Sequence, residues 1–148
     1  MLNLVRTNSE NSDFQKLTAL FDTFLVEIDG DEKDFFAQYN QIYIDNVVII
    51  YENEIPVGCG AFKELDAKTA EIKRMFVKPE ARGKGIASKI LEALESWAKD
   101  LNYQASQLET SEKLKNAIAL YHKFGYKNIP NYGQYTGVES SVCMKKIL

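Results

Sequence analysis

Residues 71–87 read Glu71-Ile72-Lys73-Arg74-Met75-Phe76-Val77-Lys78-Pro79-Glu80-Ala81-Arg82-Gly83-Lys84-Gly85-Ile86-Ala87. The first half is a strand that Pro79 must stop, because its ring cannot continue a hydrogen-bonded ladder. A short loop with two glycines follows, and an amphipathic pattern begins at once. Ile86, Ile90, Leu91, Leu94, Trp97, Ala98 and Leu101 recur at helical spacing through residues 84–101. At such a strand–loop–helix junction, successive backbone N–H groups have no partner within the helix and carry the positive end of its dipole. An anion, above all a pyrophosphate, is favoured there. Gly83 and Gly85 would let phosphate oxygens approach the backbone, and Arg82 and Lys84 add positive charge. The commonest phosphate-binding fingerprints are absent. A dinucleotide loop needs a third glycine where Ser88 stands, and the Walker-A pattern fails as well.

Outward from this segment, strands and helices alternate. Leu2–Thr7 reads as a strand, followed by an S-x-x-Q capping box of Ser12 and Gln15. Phe14, Leu17, Leu20, Phe21, Phe24, Leu25 and Ile28 then form a helical stripe that Asp29-Gly30-Asp31 breaks. Phe35, Phe36 and Tyr39 suggest a second, shorter helix. Residues 47–51 and 55–65 pair as a hairpin around Glu52-Asn53-Glu54, and Thr69–Val77 is the next strand. In the helix after the glycines, Glu95 and Lys99 make a favourable i,i+4 pair, and Asn102 suits a left-handed cap. Residues 107–110 form a short strand and 114–124 a helix closed by Gly125. Residues 126–129 and 138–145 are final strands joined by the aromatic loop Pro130-Asn131-Tyr132-Gly133-Gln134-Tyr135. The order β-α-α-β-β-β-α-β-α-β-β predicts a mixed sheet with helices packed on it, in the α/β (α+β) class.

The rest of the composition narrows the function. At 148 residues, without repeat, linker or low-complexity tract, the chain reads as a single domain over 1–148. A net charge of −3 lacks the basic surplus of a nucleic-acid binder. There is neither a signal-peptide core nor an apolar run near the ~18 residues of a membrane span. Cys59 and Cys143 stand apart in apolar stretches without metal-ligand or redox spacing. A cytoplasmic protein with reduced, structural thiols and no metal is the expectation.

Arg82-Gly83-Lys84-Gly85-Ile86-Ala87 matches R/Q-x-x-G-x-G/A, and Ala117-Ile118-Ala119-Leu120-Tyr121-His122-Lys123-Phe124-Gly125-Tyr126 is similar to A-x-x-L-Y-x-x-x-G-F/Y. Both are signatures of the GNAT superfamily of acyl-CoA-dependent N-acyltransferases, and the chain resembles that superfamily over essentially its whole length. The resemblance implies a mostly antiparallel sheet of six or seven strands with about four helices. Its two central parallel strands, Thr69–Val77 and 107–110, would splay to admit coenzyme A. One departure stands out: where the family often has an Asn seven residues before the motif tyrosine, this chain has Leu114, and Asn116 is two places out of register.

The resemblance also implies residue roles. Backbone groups of Met75, Phe76 and Val77 would pair with the pantetheine arm. The N–H groups of Arg82, Gly83, Lys84, Gly85, Ile86 and Ala87 would hold the pyrophosphate, and an N–H near Phe76 or Val77 would polarise the thioester carbonyl. An alkylammonium cannot attack a thioester, so a base must first remove a proton. Glu71 is the leading candidate and Glu109 the second; the bland alternative is that either merely pairs with Lys73 or Arg74. Tyr121 matches the family tyrosine beside the sulfur and would protonate the departing thiolate; otherwise it is a core aromatic. His122 is expected on the surface. The acceptor pocket is expected from the segment 28–43, with Asp29, Asp31, Glu32, Phe35, Phe36 and Tyr39, and from the loop 131–135. The activity implied is direct transfer of acetyl from acetyl-CoA to a primary amine of a small molecule or peptide. A homodimer is left open, and a non-catalytic acyl-CoA sensor and a protein-interaction module are the rivals.

Overall fold

The computed structural model describes residues 1–29 and 43–148. Seven strands form one sheet in the order β1-β2-β3-β4-β5-β7-β6. They are β1 (Leu2–Thr7), β2 (Asn46–Glu52), β3 (Ile55–Asp66), β4 (Thr69–Val77), β5 (Ala105–Ser111), β6 (Lys127–Ile129) and β7 (Ser141–Ile147). Every neighbouring pair is antiparallel except β4 and β5, which run parallel. Among the described residues there are three α-helices: α1 (Ser12–Asp29), α2 (Ile86–Asp100) and α3 (Lys115–Lys123). The additional helix expected around Phe35, Phe36 and Tyr39 falls outside the described residues, as do Asp31 and Glu32. No helix among the described residues is long and apolar enough to cross a membrane.

Alternation along the strands sets the two layers, because successive side chains of a strand point to opposite faces. Val47 and Ile49 of β2 join Cys59, Ala61 and Phe76 against Phe14 and Leu17 of α1. Their sequence neighbours Val48 and Ile50 lie with Phe62, Ile72, Leu108 and Met144 against α2 and α3. Covered on both sides, β2 reads as a continuous apolar run rather than an alternating one. Ile86, Ile90, Leu91 and Leu94 of α2 are all buried, each stabilising the packed state by roughly 1.5–3 kcal/mol through removal from water. Leu101, expected on that stripe, is exposed instead. The β2–β3 turn has positive φ at Asn53 (51°) and Glu54 (72°), as a two-residue hairpin turn requires.

Several local expectations are corrected. The cap of α1 is Asn11, whose Oδ1 accepts the N–H groups of Asp13 (2.8 Å) and Phe14 (3.1 Å). Gln15 reaches back to the carbonyls of Ser9 and Glu10, so the Ser12–Gln15 box is not made. Glu95 is buried rather than on a surface ladder. Its carboxylate accepts from Tyr126 Oη at 2.9 Å and Lys146 Nζ at 2.8 Å, and Tyr126 is also joined to Ser106 Oγ at 2.7 Å. A buried carboxylate needs such partners, and the sheet supplies them better than Lys99 would. β7 begins at Ser141, three residues later than expected, because 133–135 forms a 3₁₀ turn that continues into further turns.

Candidate active site

Pairing between β4 and β5 runs from Thr69↔Ala105 to Ile72↔Leu108 and stops there, although both strands continue. The parallel strands part, as expected, and the gap opens between Lys73–Val77 on one side and Glu109–Ser111 on the other. Across β4 from the gap, the β3 register slips: Ala61 faces Lys73, yet Cys59 faces Phe76. Arg74 and Met75 thus stand opposite Gly60 alone, a β-bulge in which Arg74 takes φ 56°. The position opposite must be glycine. A Cβ there would lie 2.6 Å from Met75 Sδ and 2.7 Å from Ile90 Cγ2. Cys59 Sγ, reaching the Arg74 carbonyl at 3.4 Å, braces the bulge from the other side.

One mouth of the gap is a cleft of about 480 Å³. After Val77 the chain makes a 3₁₀ turn at Pro79–Ala81 and enters α2 through Gly83 (φ 83°) and Gly85 (φ 76°). No heavy atom lies within 4 Å of where a Cβ would sit on either glycine. Gly85 is the N-cap of α2 and no side chain caps that end, so its first N–H groups are offered to the cleft. Met75, Phe76, Val77, Arg82, Gly83, Gly85, Ile86 and Ala87 all line it. Lys84 does not; its ammonium pairs with Glu52 at 3.1 Å. Arg82 is likewise engaged, its Nε donating to the Val77 carbonyl at 3.0 Å and its guanidinium lying over Phe24. The backbone, more than these side chains, supplies the positive potential. Leu114 and Asn116 both line the far wall.

The other mouth is a pocket of about 100 Å³ bounded by Phe21 and Leu25 of α1, Lys73 and Arg74, Glu109 and Thr110, and Tyr135. Phe21, Met75, Leu114, Ala117 and Tyr121 border both spaces, so the two adjoin, and Tyr121 stands where they meet. Tyr121 is 5% exposed. Burial first, and then the nearby Glu109, push its phenol above the ordinary value near 10. Its ring packs edge-on against Tyr126, with centroids 5.7 Å apart.

The two candidate carboxylates differ sharply. Glu71 is 2% exposed and borders neither space. Its Oε2 accepts the Tyr132 hydroxyl at 2.6 Å, and Lys63 and Lys73 each stand 3.9 Å from Oε1. Glu109 forms part of the small pocket's wall and accepts from Ser141 Oγ at 2.7 Å. His122 is exposed and bonded to Asn128, away from both spaces.

Lys73 and Arg74, expected only as partners for carboxylates, both line the pocket. Lys73 Nζ donates to the Tyr135 hydroxyl at 3.2 Å. Its ammonium is held below the usual lysine range, mainly by burial, with Lys63 and Arg74 adding to the shift and Glu71 opposing it. From the expected aromatic loop, Tyr135 lines the pocket, while Tyr132 packs beside it in a small cluster with Cys143 of β7.

Four tyrosines, the buried Tyr121, Tyr126 and Tyr135 and the partly buried Tyr132, all have phenols raised above 10, chiefly by removal from water. In the unfolded chain they ionise near 10, so above that pH the unfolded state holds fewer protons than the folded one. Their contribution to stability is fully present below pH ~10 and falls above it by up to about 1.4 kcal/mol per pH unit for each tyrosine. Lys73, shifted the other way, offsets part of this loss only up to its ordinary value of 10.5. Cys59 and Cys143, whose thiols burial also raises, start the loss earlier, because unfolded cysteines ionise near ~8.5–9. Urea unfolding midpoints are therefore expected to begin falling near pH ~9 and to drop steeply above pH ~10. A midpoint unchanged well above pH ~10 would contradict the buried, protonated phenols.

This geometry coincides with a recognised family. Residues 13–126 match the model of the Acetyltransferase (GNAT) family. The chain belongs to the GNAT acetyltransferase family. Among its relatives, an IAA acetyltransferase of Azospirillum brasilense is 39% identical over 93 residues, covering 62% of this chain and 61% of that one. The chain spans about three fifths of the length of the curated relatives it matches. A crystal structure from Klebsiella pneumoniae, described as an acyl-CoA N-acyltransferase, superposes with a TM-score of 0.84 at 27% identity, covering 100% of this chain and 98% of that one. A GNAT acetyltransferase of Elizabethkingia anophelis with acetyl-CoA bound superposes at TM-score 0.73 and 17% identity, covering 99% and 98% of the two chains. That second likeness concerns the fold alone.

Proposed function

We propose that the chain moves an acetyl group from acetyl-CoA to a primary amine by direct attack in a ternary complex. The observation that carries this reading is the parting of β4 and β5 after Ile72 and Leu108. It sets the uncapped N-terminus of α2 on one side and, on the other, a small pocket walled in part by Lys73, Arg74, Glu109 and Thr110. The free space over Gly83 and Gly85 and the uncapped start of α2 fit a pyrophosphate. A volume of about 480 Å³ is in the range of cofactor clefts. Met75, Phe76 and Val77 would hold the pantetheine arm as an added strand would be held, and a backbone N–H near Phe76 or Val77 would stabilise the oxyanion. One continuous ladder from Leu2 to Ile147 supports reading the chain as a single domain.

For the proton transfers, the surroundings of the two carboxylates support the reverse of the expected order. Glu109 is assigned as the base that takes the ammonium proton, because it borders the pocket where an amine would stand. Glu71, sealed behind Tyr132 and two lysines, positions Lys73 and the aromatic loop. Tyr121 is the acid for the departing thiolate, its phenol holding its proton at neutral pH where the cleft and the pocket meet. An acyl-enzyme on cysteine is disfavoured. Burial pushes Cys59 up to about 12 and Cys143 up to about 11, so neither supplies a thiolate at neutral pH.

The test is the pH–rate profile of acetyl transfer over an amine panel. Glu109→Gln is expected to lower kcat by ~10²-fold and move the profile to alkaline pH, since only amine already deprotonated could react. Glu71→Gln is expected to cost less and leave the shape of the profile. The opposite pattern would exchange the two roles, and coenzyme A binding without turnover of any amine would favour a sensor over an enzyme.

A further inference from the structure

Ser106 of β5 and Lys146 of β7 are cross-strand partners, so both side chains leave the sheet on the face that Leu108 and Met144 share with α2 and α3. Glu95 meets them from α2, and Tyr126, just past the end of α3, lies among the three. Burial first, and then Glu95, keep the Tyr126 phenol protonated. It therefore donates to Glu95 Oε2 at 2.9 Å, and Ser106 Oγ, 2.7 Å away, is left to donate to it. Lys146 Nζ donates to the other carboxylate oxygen at 2.8 Å and stands 5.8 Å from the centre of the Tyr126 ring. One phenol is thereby tied to α2, β5 and β7. Such a network is weak evidence for stability, because a buried ion pair can often be exchanged for apolar side chains without loss. A fully satisfied one does fix a single arrangement of the core.

What it fixes here adjoins the reaction. The rings of Tyr126 and Tyr121 meet edge-on with centroids 5.7 Å apart, and the Tyr126 N–H donates to the Tyr121 carbonyl at 3.0 Å. Tyr121 borders both the cleft and the pocket, whereas Glu95, Ser106, Tyr126 and Lys146 border neither. Any effect of these four on the chemistry passes through a neighbour that does. Resting on the acid role proposed for Tyr121, we propose that Tyr126, locked by Glu95, Ser106 and Lys146, is a positioning residue that holds the Tyr121 phenol where the two spaces meet. A reacting group displaced by ~1 Å can lose ~10²-fold in rate, so a loosened neighbour is felt in kcat.

Tyr126→Phe keeps the ring and deletes the hydroxyl that Glu95 and Ser106 hold. Acetyl transfer to an amine panel is measured for the parent, Tyr126→Phe, Tyr121→Phe and the double variant, after calorimetric titration of coenzyme A into each. Tyr126→Phe is expected to lower kcat about tenfold, with coenzyme A affinity within a few-fold of the parent. In the Tyr121→Phe background the same change should alter kcat by less than about twofold, because no phenol proton remains to be placed. A purely structural loss would lower kcat by the same factor in both backgrounds. The carbon-13 ring signal of Tyr121 should also shift in Tyr126→Phe. If that variant does not fold, Ser106→Ala, which removes one partner of the hydroxyl, carries the same pattern at about threefold. Parental kcat in the variant, an equal loss in both backgrounds, or an unmoved Tyr121 signal overturns the proposal. A Tyr121→Phe protein with parental kcat would remove the acid role and take this proposal with it. A slow Tyr121→Phe beside a parental Tyr126→Phe would overturn the positioning alone. Absence of turnover by the parent would count against the acetyl-transfer reading and both assignments.

Discussion

Tyr121→Phe is expected to lower kcat by ~10²-fold while acetyl-CoA binding stays within a few-fold of the parent. The substitution removes one hydroxyl from a ring that is otherwise packed against Tyr126 and the walls of both spaces, so the scaffold should hold. In the proposed mechanism the lost group acts only as the thiolate leaves. Removing an interaction made in the transition state lowers kcat and kcat/KM together, which separates it from lost binding. Steady-state kinetics on both proteins, with calorimetric titration of coenzyme A, would decide it. A Phe variant with the parental kcat would leave Tyr121 as a core aromatic.

Gly85→Val is expected to raise the acetyl-CoA KM by about tenfold or more, equivalent to ~1.4 kcal/mol of lost binding. Two effects add. The position has φ 76°, where a β-branched residue is strained by roughly 1–2 kcal/mol. Its Cβ would also project into the open space at the start of α2, the site proposed for the pyrophosphate. Gly83→Val should act in the same direction, because its φ of 83° and its surroundings are alike. A folded Gly85→Val protein with unchanged KM would remove the phosphate cradle from this loop. A circular dichroism melt on the same sample guards against reading lost folding as lost binding.

The sequence was most informative where the cause is local. The α2 stripe of Ile86, Ile90, Leu91 and Leu94, the Pro79 stop, the Asn53–Glu54 turn and the left-handed Asn102 all depend on residues a few positions apart. The parting of β4 and β5 was implied by family likeness rather than by pattern, since nothing in residues 107–110 announces where pairing will end. The bulge was not legible. It depends on Gly60 of the neighbouring strand and on Met75 packing into α2, and a period-two reading of 71–77 puts Arg74 on the wrong face. Glu95 misled for a similar reason, because Tyr126 and Lys146, which claim its carboxylate, lie 31 and 51 residues away. The Tyr132 hydroxyl that engages the Glu71 carboxylate comes from 61 residues on, so the surroundings of Glu71 were not legible locally either. The acids and aromatics expected at 31–39 lie outside the described residues and add nothing to the pocket's account.

The most direct test of the central claim is a crystal structure of the protein with coenzyme A. The pyrophosphate should lie against the backbone N–H groups of 82–87, with the pantetheine arm along Met75, Phe76 and Val77 and the sulfur within hydrogen-bond reach of the Tyr121 hydroxyl. Coenzyme A bound elsewhere, or with its sulfur remote from Tyr121 and the gap between β4 and β5 empty, would contradict the account.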